Sequence, residues 1–300
     1  MFTLDWGTGA LKMIRFSRSK GEFWPQEFQV LTLTEKPLGK EKEDVKLMRQ
    51  YLQEIFKEIK MTRGRLRITL PATGSNLLLL NLPSLNKAEL REAVHWEVCR
   101  VLNLDPYSGV IRFSVIEEKK EGIRVLAAAL EQRVLDFVQA SLPRNPWIRV
   151  ERATLTPLAL SALLGGDKNN LVVIDCGSSK TDLLFLRGGK PIFLRQLGGF
   201  MRGSDLLGEP GGADHAAQLT EEISRALMYV PEIDIRSEAE RILLVGGKGQ
   251  DPQLARNLEN SFQIKVSLRE KCWPRENGAR ALLAPALGLA RLGGQRNGTN

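Results

Sequence analysis

The same short pattern occurs twice in this chain, once at its start and once past its middle. The first copy is MFTLDWGTGALKMIRF and the second is LVVIDCGSSKTDLLFL. In each copy an apolar strand ends in Asp-x-Gly, small or hydroxyl residues follow, and a second apolar strand begins, which predicts a β-hairpin. Because each hairpin opens one half of the chain, the repeat predicts two halves of related architecture that face one another.

Strand and helix patterns alternate along the rest of the chain, which indicates an α/β protein. Strands are predicted at 2–5, 11–16, 65–71, 76–83, 110–116, 123–129, 148–152, 171–187 (the second hairpin), 191–195, 241–245 and 264–268. Helices are predicted at 42–60, 86–102, 131–141, 156–164, 214–229, 252–262 and 278–291. The turn cluster GGDKNN separates a first half at 1–166 from a second half at 167–292, and the tail 293–300 is predicted to be disordered.

Both hairpins carry groups that can bind phosphate. Gly7 and Gly177 let backbone amides approach a phosphate without a Cβ atom in the way. Lys12 could reach a terminal phosphate, and Asp5 and Asp175 could hold the water ligands of a magnesium ion. The candidate hydroxyl ligands are Thr8, Ser178, Ser179 and Thr181. Asp-x-Gly is also ordinary turn chemistry, but two copies favour a shared phosphate cleft.

A third candidate element is RILLVGGKGQDPQLARNL, which reads as a strand, a glycine turn and a helix. The pair Gly246 and Gly247 would let a flat base or ribose approach the backbone, and Lys248 follows them. This pattern occurs in many α/β proteins and is weak alone. The sequence contains no Gly-x4-Gly-Lys-Ser/Thr phosphate loop.

The composition disfavours several classes of protein. No apolar run approaches the roughly 20 residues of a membrane span. The start of the chain also differs from a signal peptide, because Asp5 interrupts its apolar stretch and no basic region precedes it. The cysteines are few and odd in number, which predicts a reducing cytosol rather than a disulfide framework: Cys99, Cys176 and Cys272. The two histidines, His95 and His215, are expected on helix surfaces and give little basis for a zinc site.

The net charge of +8 is compatible with nucleic acid or with the anionic inner face of a membrane as a partner. Five cations cluster around the end of the helix predicted at 42–60: Lys57, Lys60, Arg63, Arg65 and Arg67. They could complement the helix dipole or form a lipid or nucleic-acid patch. Because no motif that reads nucleic acid is present, a nucleic-acid binder is the least favoured class.

The most specific stretch is LPSLNKAELREAVHWEVCRVLNL, followed by the strand RFSVIE. Together with FLRQLGG and ALLAPALGLARLGG, and with the order of hairpins and glycine turn, it resembles the actin/hexokinase/chaperone ATPase superfamily over nearly the whole chain. Within that superfamily it is most similar to the PilM-like family of type IV pilus assembly. The residues in register with that family's pattern are Leu90, Ala93, Trp96 and Glu97.

The resemblance implies an actin-like fold of two related halves around a cleft, with a small α/β subdomain inserted at about 70–147. It also implies binding of ATP with magnesium between the halves, at Asp5, Asp175 and the other hairpin residues. The implied partner is the cytoplasmic tail of a PilN-like membrane protein in an inner-membrane pilus assembly platform. The chain would then be a cytoplasmic scaffold at the inner face of the membrane.

Four departures from the family pattern bear on ATP. Gly199 and the helix at 214–229 are joined by a short loop where relatives have an extra subdomain, so the second half is expected to be shortened. Lys248 stands where small residues are usual, and Asn103 where relatives have proline. Thr156 occupies the position at which a carboxylate or amide would orient water, and a threonine is no general base at neutral pH. Hydrolysis is therefore not expected.

The tail-binding groove implied by the resemblance would be lined by the strand NLLLLNLP and by Leu90, Val94 and Trp96. Four consecutive leucines must be covered on both faces of a strand, either by the chain itself or by a partner. Trp96 is interpreted in the first place as a packing residue of the subdomain. Two alternative functions stay open: the actin-like cytoplasmic domain of a type II secretion platform, and an active ATPase or sugar kinase.

Overall fold

The computed structural model describes residues 1–20, 22–35, 41–71, 74–178, 180–198, 213–228, 234–247, 249, 251–267 and 277–292. Within them the elements are, in chain order, β1 (Phe2–Trp6), β2 (Ala10–Ser19), β3 (Glu22–Thr32), α1 (Lys42–Glu58), β4 (Gly64–Thr69), β5 (Ser75–Leu82), α2 (Lys87–Leu102), β6 (Gly109–Lys119), β7 (Gly122–Glu131), α3 (Gln132–Ser141), β8 (Ile148–Thr154), α4 (Thr156–Leu164), β9 (Leu171–Cys176), β10 (Lys180–Arg187), β11 (Lys190–Gly198), α5 (Ala213–Met228), α6 (Ile235–Glu238), β12 (Arg241–Val245), α7 (Pro252–Phe262), β13 (Val266–Ser267) and α8 (Asn277–Arg291).

Two five-stranded sheets repeat one arrangement. Their strand orders are β3-β2-β1-β4-β8 and β11-β10-β9-β12-β13. In the first sheet β1 is antiparallel to β2 and parallel to β4, and in the second β9 is antiparallel to β10 and parallel to β12. The two Asp-x-Gly hairpins therefore occupy equivalent places, which confirms the repeat predicted from the sequence.

The predicted helices and strands are present with shifts of a few residues, but β3 and the short α6 were not predicted. Pro25 lies inside β3, and proline normally argues against a strand because it cannot donate to the ladder. Here β3 is an edge strand, and Pro25 lies beside a register shift at Arg15 and Phe16. The division of the chain at 166/167 stays a prediction, and the tail 293–300 lies outside the described residues.

A third, three-stranded sheet has the order β5-β7-β6 and forms the centre of a small subdomain. Leu77 and Leu79 of β5 pack into the core under the first large sheet. Leu78 and Leu80 pack on the other side, against α2. The run of four leucines is covered on both faces by the chain itself, as an ordinary two-sided core would be.

Helix α2 begins and ends at residues suited to those places. The Asn86 side chain accepts hydrogen bonds from the amides of Ala88 and Glu89, and the Glu89 side chain accepts one from the amide of Asn86. This capping box confirms the helix start predicted from the sequence. At the other end Asn103 has a φ of 50°, in the left-handed region that proline cannot adopt.

Helices α4 and α8 join the two halves. One core is shared by Leu160 and Leu163 of α4, Leu283 and Leu287 of α8, Ile14 of β2 and Val173 of β9. The Arg67 side chain of β4 adds two hydrogen bonds to the end of α8, to the carbonyl oxygens of Leu289 at 3.1 Å and Ala290 at 2.9 Å. No helix in the described parts of the chain combines the length and apolarity needed to cross a bilayer.

Gly288 allows α4 and α8 to touch. A Cβ atom at this position would overlap the carbonyl oxygen of Ala159, and backbone cannot move aside as a side-chain end can. We expect Gly288→Ala to destabilise the protein by about 1–3 kcal/mol, as overpacked sites do, and to lower its melting temperature in calorimetry. The matched control is Gly166→Ala, because Gly166 has open space around it. Equal melting temperatures for the two variants would contradict this account.

Candidate functional site

The two hairpin loops meet at the centre of the molecule. The hydroxyl groups of Thr8 and Ser178 are hydrogen-bonded at 2.8 Å, although 170 residues separate them in sequence. Gly7 in the first loop and Gly177 in the second each allow a tight turn. A Cβ atom on either would lie 2.8 Å from the Ala10 carbonyl oxygen or 2.9 Å from the Lys180 carbonyl oxygen, so both glycines are required by the turn itself.

In the first hairpin Asp5 is held by two neighbours. Lys12 stands opposite it in the β1–β2 register, and its ammonium donates to Asp5 Oδ2 at 2.8 Å. Thr69, at the end of β4, donates to Asp5 Oδ1 at 2.7 Å and accepts from the Trp6 amide at 2.9 Å. Burial acts to lower the pKa of Lys12, but the Asp5 carboxylate, helped by Asp175, holds that pKa above its ordinary value.

The second hairpin repeats this geometry with a different charge pair. Asp175 faces Asp182 in the β9–β10 register, where the first hairpin has Asp5 facing Lys12. Both carboxyl groups are buried, and Lys180 Nζ lies 3.8 Å from Asp182 Oδ1. Burial, reinforced by the Asp182 charge, raises the pKa of Asp175 to about 7. Burial likewise raises the pKa of Asp182 and lowers that of Lys180.

The glycine turn after β12 reaches the same place. Gly246 has a φ of 85°, and a Cβ atom there would overlap the Asp175 carboxyl group and the Cys176 carbonyl oxygen. Gly246 is therefore required by its contact with β9. Gly247 is exposed and has nothing within 4 Å of its Cβ position. Of the pair, Gly247 is the residue with room beside it for added atoms.

Many solved structures are similar to this chain, and three of them are described here. A chain of the PilM–PilN type IV pilus biogenesis complex matches with a TM-score of 0.77 and 21% identity, over 96% of this chain and 97% of that chain. A Bacteroides thetaiotaomicron protein of actin-like ATPase fold and unknown function matches with a TM-score of 0.55 and 10% identity, over 96% and 95%. The ethanolamine utilization protein EutJ of Carboxydothermus hydrogenoformans matches with a TM-score of 0.51 and 11% identity, over 97% and 89%.

The chain has an actin-like fold. No protein-family model matches the sequence, and no curated protein matches it. The two large sheets are the repeated units of this fold, and the predicted fold class is confirmed. The predicted shortening of the second half stays a prediction, because the loop at 199–212 lies outside the described residues.

The actin-like halves bring most of the predicted nucleotide ligands together. Thr8, Ser178, Lys12 and Asp5 meet at the hairpin contact, with Asp175 and Gly246 beside it. Thr181 is buried on β10 opposite Cys176. Ser179 and Lys248 lie outside the described residues. The roles of all these residues stay predictions.

Three side chains of the cleft were missed in the sequence: Thr69, Lys180 and Asp182. The sequence did contain a signal for Asp182, because it follows Asp175 by the same seven residues that separate Lys12 from Asp5. Thr69 gave no signal, because it reaches Asp5 only through the pairing of β1 with β4.

By chemical type, the cleft residues fit a magnesium nucleotide. Hydroxyl groups, turn amides and a lysine suit phosphate, and two carboxylates suit the water ligands of magnesium. The hydroxyl groups of Thr8 and Ser178 are 2.8 Å apart, which leaves no room for a phosphate directly between them. A phosphate bound to both hydroxyl groups would therefore replace this hydrogen bond. Within the described residues, no three His, Cys, Asp or Glu side chains are grouped around a common metal position.

The residues predicted to line a partner groove do not share one surface. Leu90 and Val94 are buried in the core between α2 and the small sheet. Trp96 points away from that core with 57% of its surface exposed, so its interpretation as a packing residue is wrong. The reason is helical geometry, because residues two apart in a helix lie on nearly opposite sides. The partner-binding role of these residues stays a prediction.

The raised pKa of Asp175 predicts a pH-dependent stability. The folded pKa of about 7 lies above the ordinary aspartate value of 3.8, so this group's contribution to stability is fully present at low pH and is lost as pH rises through 7. Asp175→Asn lacks this ionisation. We therefore expect its melting temperature to exceed that of the unaltered protein by an amount that grows between pH 4 and pH 7 and is constant above.

Thermal melts across this pH range measure the difference. Asp105→Asn is the control, because Asp105 is exposed. The hydrogen bond described for its side chain is the one that it accepts from the Tyr107 amide. A difference for Asp175→Asn that does not change with pH would show that this carboxyl group does not titrate as argued.

Proposed function

We propose that this chain is a cytoplasmic actin-like scaffold of a type IV pilus inner-membrane assembly platform, and that it binds the cytoplasmic tail of a PilN-like membrane protein. The observation that carries the proposal is the match to a PilM–PilN complex at a TM-score of 0.77 over nearly the full length of both chains. The two other structures match less well, at 0.55 and 0.51. The chain would work at the inner face of the cytoplasmic membrane.

The small subdomain is the proposed docking site for the tail. It exposes several large apolar side chains: Trp96, Val101, Tyr107 and Val115. Its strand β6 is at the outer end of the three-stranded sheet, where backbone groups are available to an extended peptide. An exposed tryptophan beside an open strand edge favours a peptide that buries a few apolar side chains and pairs its backbone.

We further propose that the cleft binds ATP with magnesium weakly. Thr8, Ser178 and Lys12 would contact phosphate, and Asp5 and Asp175 would hold magnesium through water. The magnesium would neutralise phosphate charge beside the two carboxylates. Binding would be weak because a phosphate between the loops has to replace the Thr8–Ser178 hydrogen bond. Thr156 begins α4 and provides no base, so binding without hydrolysis is expected.

The nucleotide proposal can be tested at Gly247. We expect MgATP to bind the unaltered protein weakly in calorimetry, and Gly247→Leu to abolish binding by filling the open space beside the turn. Gly166→Leu is the matched control, since Gly166 also has open space around it and lies in a different turn. Heat of binding that persists in Gly247→Leu would place the nucleotide elsewhere. Sustained phosphate release by the pure protein would contradict the absence of hydrolysis.

The partner proposal can be tested at Trp96. A peptide of the cytoplasmic tail of the PilN-like protein encoded beside this chain should bind with micromolar affinity, and Trp96→Ala should weaken it on the order of tenfold, as loss of an aromatic anchor does. Fluorescence anisotropy measures both affinities. The control is Trp24→Ala, because Trp24 is similarly exposed, at 53%, but lies on β3 of the first large sheet.

Leu90→Glu is unsuitable for this test because it would bury a charge in the subdomain core. If the tail peptide does not bind the unaltered protein, the scaffold proposal is wrong. If Trp96→Ala and Trp24→Ala bind the peptide equally, the tail uses another surface.

A further inference from the structure

Strand β8 forms an open edge of the first large sheet. It is the last strand in the order β3-β2-β1-β4-β8, and the five residues 149–153 within it are all exposed. Residues on both faces of the strand are therefore accessible to solvent. An exposed edge of this length is unusual unless it is protected or bound.

The surroundings of this edge are strongly basic. Arg65 and Arg149 face each other in the β4–β8 register. The turn before β4 is hydrogen-bonded to the turn before β8. Asn145 Nδ2 donates to the Thr62 carbonyl oxygen at 3.0 Å, and the Gly64 amide donates to the Trp147 carbonyl oxygen at 2.9 Å. The β8 basic surface defined by these contacts comprises six exposed cations: Lys60, Arg63, Arg65, Arg144, Arg149 and Arg152.

One acidic group lies within this surface. Glu151 accepts from Arg65 at 3.3 Å and from Arg67 at 3.0 Å. Arg67 is buried and also bound to α8, so it does not contribute to the surface. Glu151 thus offsets part of the exposed charge, and most of the cations remain to attract an anionic partner. Compared with the cluster of cations noted in the sequence, this surface gains the cations of β8 and its preceding turn and does not include Lys57 or Arg67.

A tryptophan projects from the same surface. Trp147 is 74% exposed, and Val150 beside it on β8 is 38% exposed. The Trp147 backbone is anchored on both sides, because its amide donates to Asn145 Oδ1 at 2.9 Å and its carbonyl oxygen accepts from Gly64. The Trp147 side chain is thus exposed on an ordered turn. Moving this side chain into a membrane or another partner requires little further ordering of the backbone.

Most of the β8 basic surface lies toward the opposite end of the sheet from the cleft, and only Arg152 is in the carboxyl half of β8. Strands β1, β4 and β8 are parallel. Asp5 and Thr69 mark their carboxyl ends at the cleft, whereas Gly64 and Ile148 mark their amino ends. A large partner could cover the amino end without closing the cleft.

We propose that the β8 basic surface binds an anionic lipid membrane directly. Arginine side chains match the geometry of lipid phosphates, and tryptophan prefers the membrane interface. An acidic extended peptide is less well matched, because long charged side chains on an edge strand act against the addition of another strand. The proposal does not depend on the pilus assignment, since it concerns lipid and no protein partner.

The test is sedimentation of the full chain with vesicles. Phosphatidylcholine vesicles that contain phosphatidylglycerol should bind the protein, pure phosphatidylcholine vesicles should not, and added salt should weaken binding. The triple variant Arg144→Gln, Arg149→Gln and Arg152→Gln should lose about fivefold in partitioning for each charge removed, or on the order of a hundredfold in total. Trp147→Ala should weaken binding at every salt concentration.

Matched controls separate this surface from net charge. The triple variant Arg112→Gln, Arg256→Gln and Lys265→Gln removes three exposed charges from β6, α7 and the turn before β13, and it should bind vesicles nearly as the unaltered protein does. Trp24→Ala is the control for Trp147→Ala, since it lies at the other edge of the same sheet. Circular dichroism checks that each variant is folded.

Three results would overturn the proposal. In the first, neutral and anionic vesicles bind equally, or neither binds. In the second, the two triple variants lose the same affinity, which would mean that overall charge alone attracts the vesicles. In the third, the β8 triple variant binds vesicles as well as the unaltered protein does. It no longer binds duplex DNA or polyglutamate, although the unaltered protein does. That result would assign the surface to nucleic acid or to an acidic protein.

Discussion

The buried ion pair between Lys12 and Asp5 lies where the two hairpins meet, and the other polar groups of the cleft are arranged around it. The Lys12 ammonium is paired with Asp5 in the first hairpin and is attracted by Asp175 of the second. Each of these groups would be costly to bury alone, and removing one member of a buried pair typically costs about 3–5 kcal/mol. The Thr8–Ser178 hydrogen bond adds a direct contact between the two loops beside this ion pair.

In the second hairpin the buried charges are less well balanced than in the first. With Asp182 in the place equivalent to Lys12, two carboxyl groups face each other, and Asp175 retains its proton up to a pH of about 7. A cation brought by a ligand would relieve this repulsion, which gives magnesium a physical reason to enter this side of the cleft.

Two exposed surfaces lie away from the cleft and have different chemistry. The small subdomain presents Trp96 and the open edge of β6, which suit an extended apolar peptide. The β8 basic surface presents arginines around Trp147, which suit lipid phosphate. A protein that binds a membrane protein's tail on one surface and lipid on the other would be held in one orientation under the bilayer.

The sequence by itself determined the two hairpins and the alternation of strands and helices, because turn glycines and apolar periodicity act within a few residues. The actin-like fold class was predicted from the family resemblance of several motifs in a fixed order. Tertiary structure alone decided that Trp96 faces solvent, that Pro25 lies in an edge strand, that Asp175 meets Asp182, and that cations from β4 and β8 form one surface. Each depends on which strand lies beside which, and pairings between distant segments are fixed by packing of the whole core rather than by neighbours in sequence.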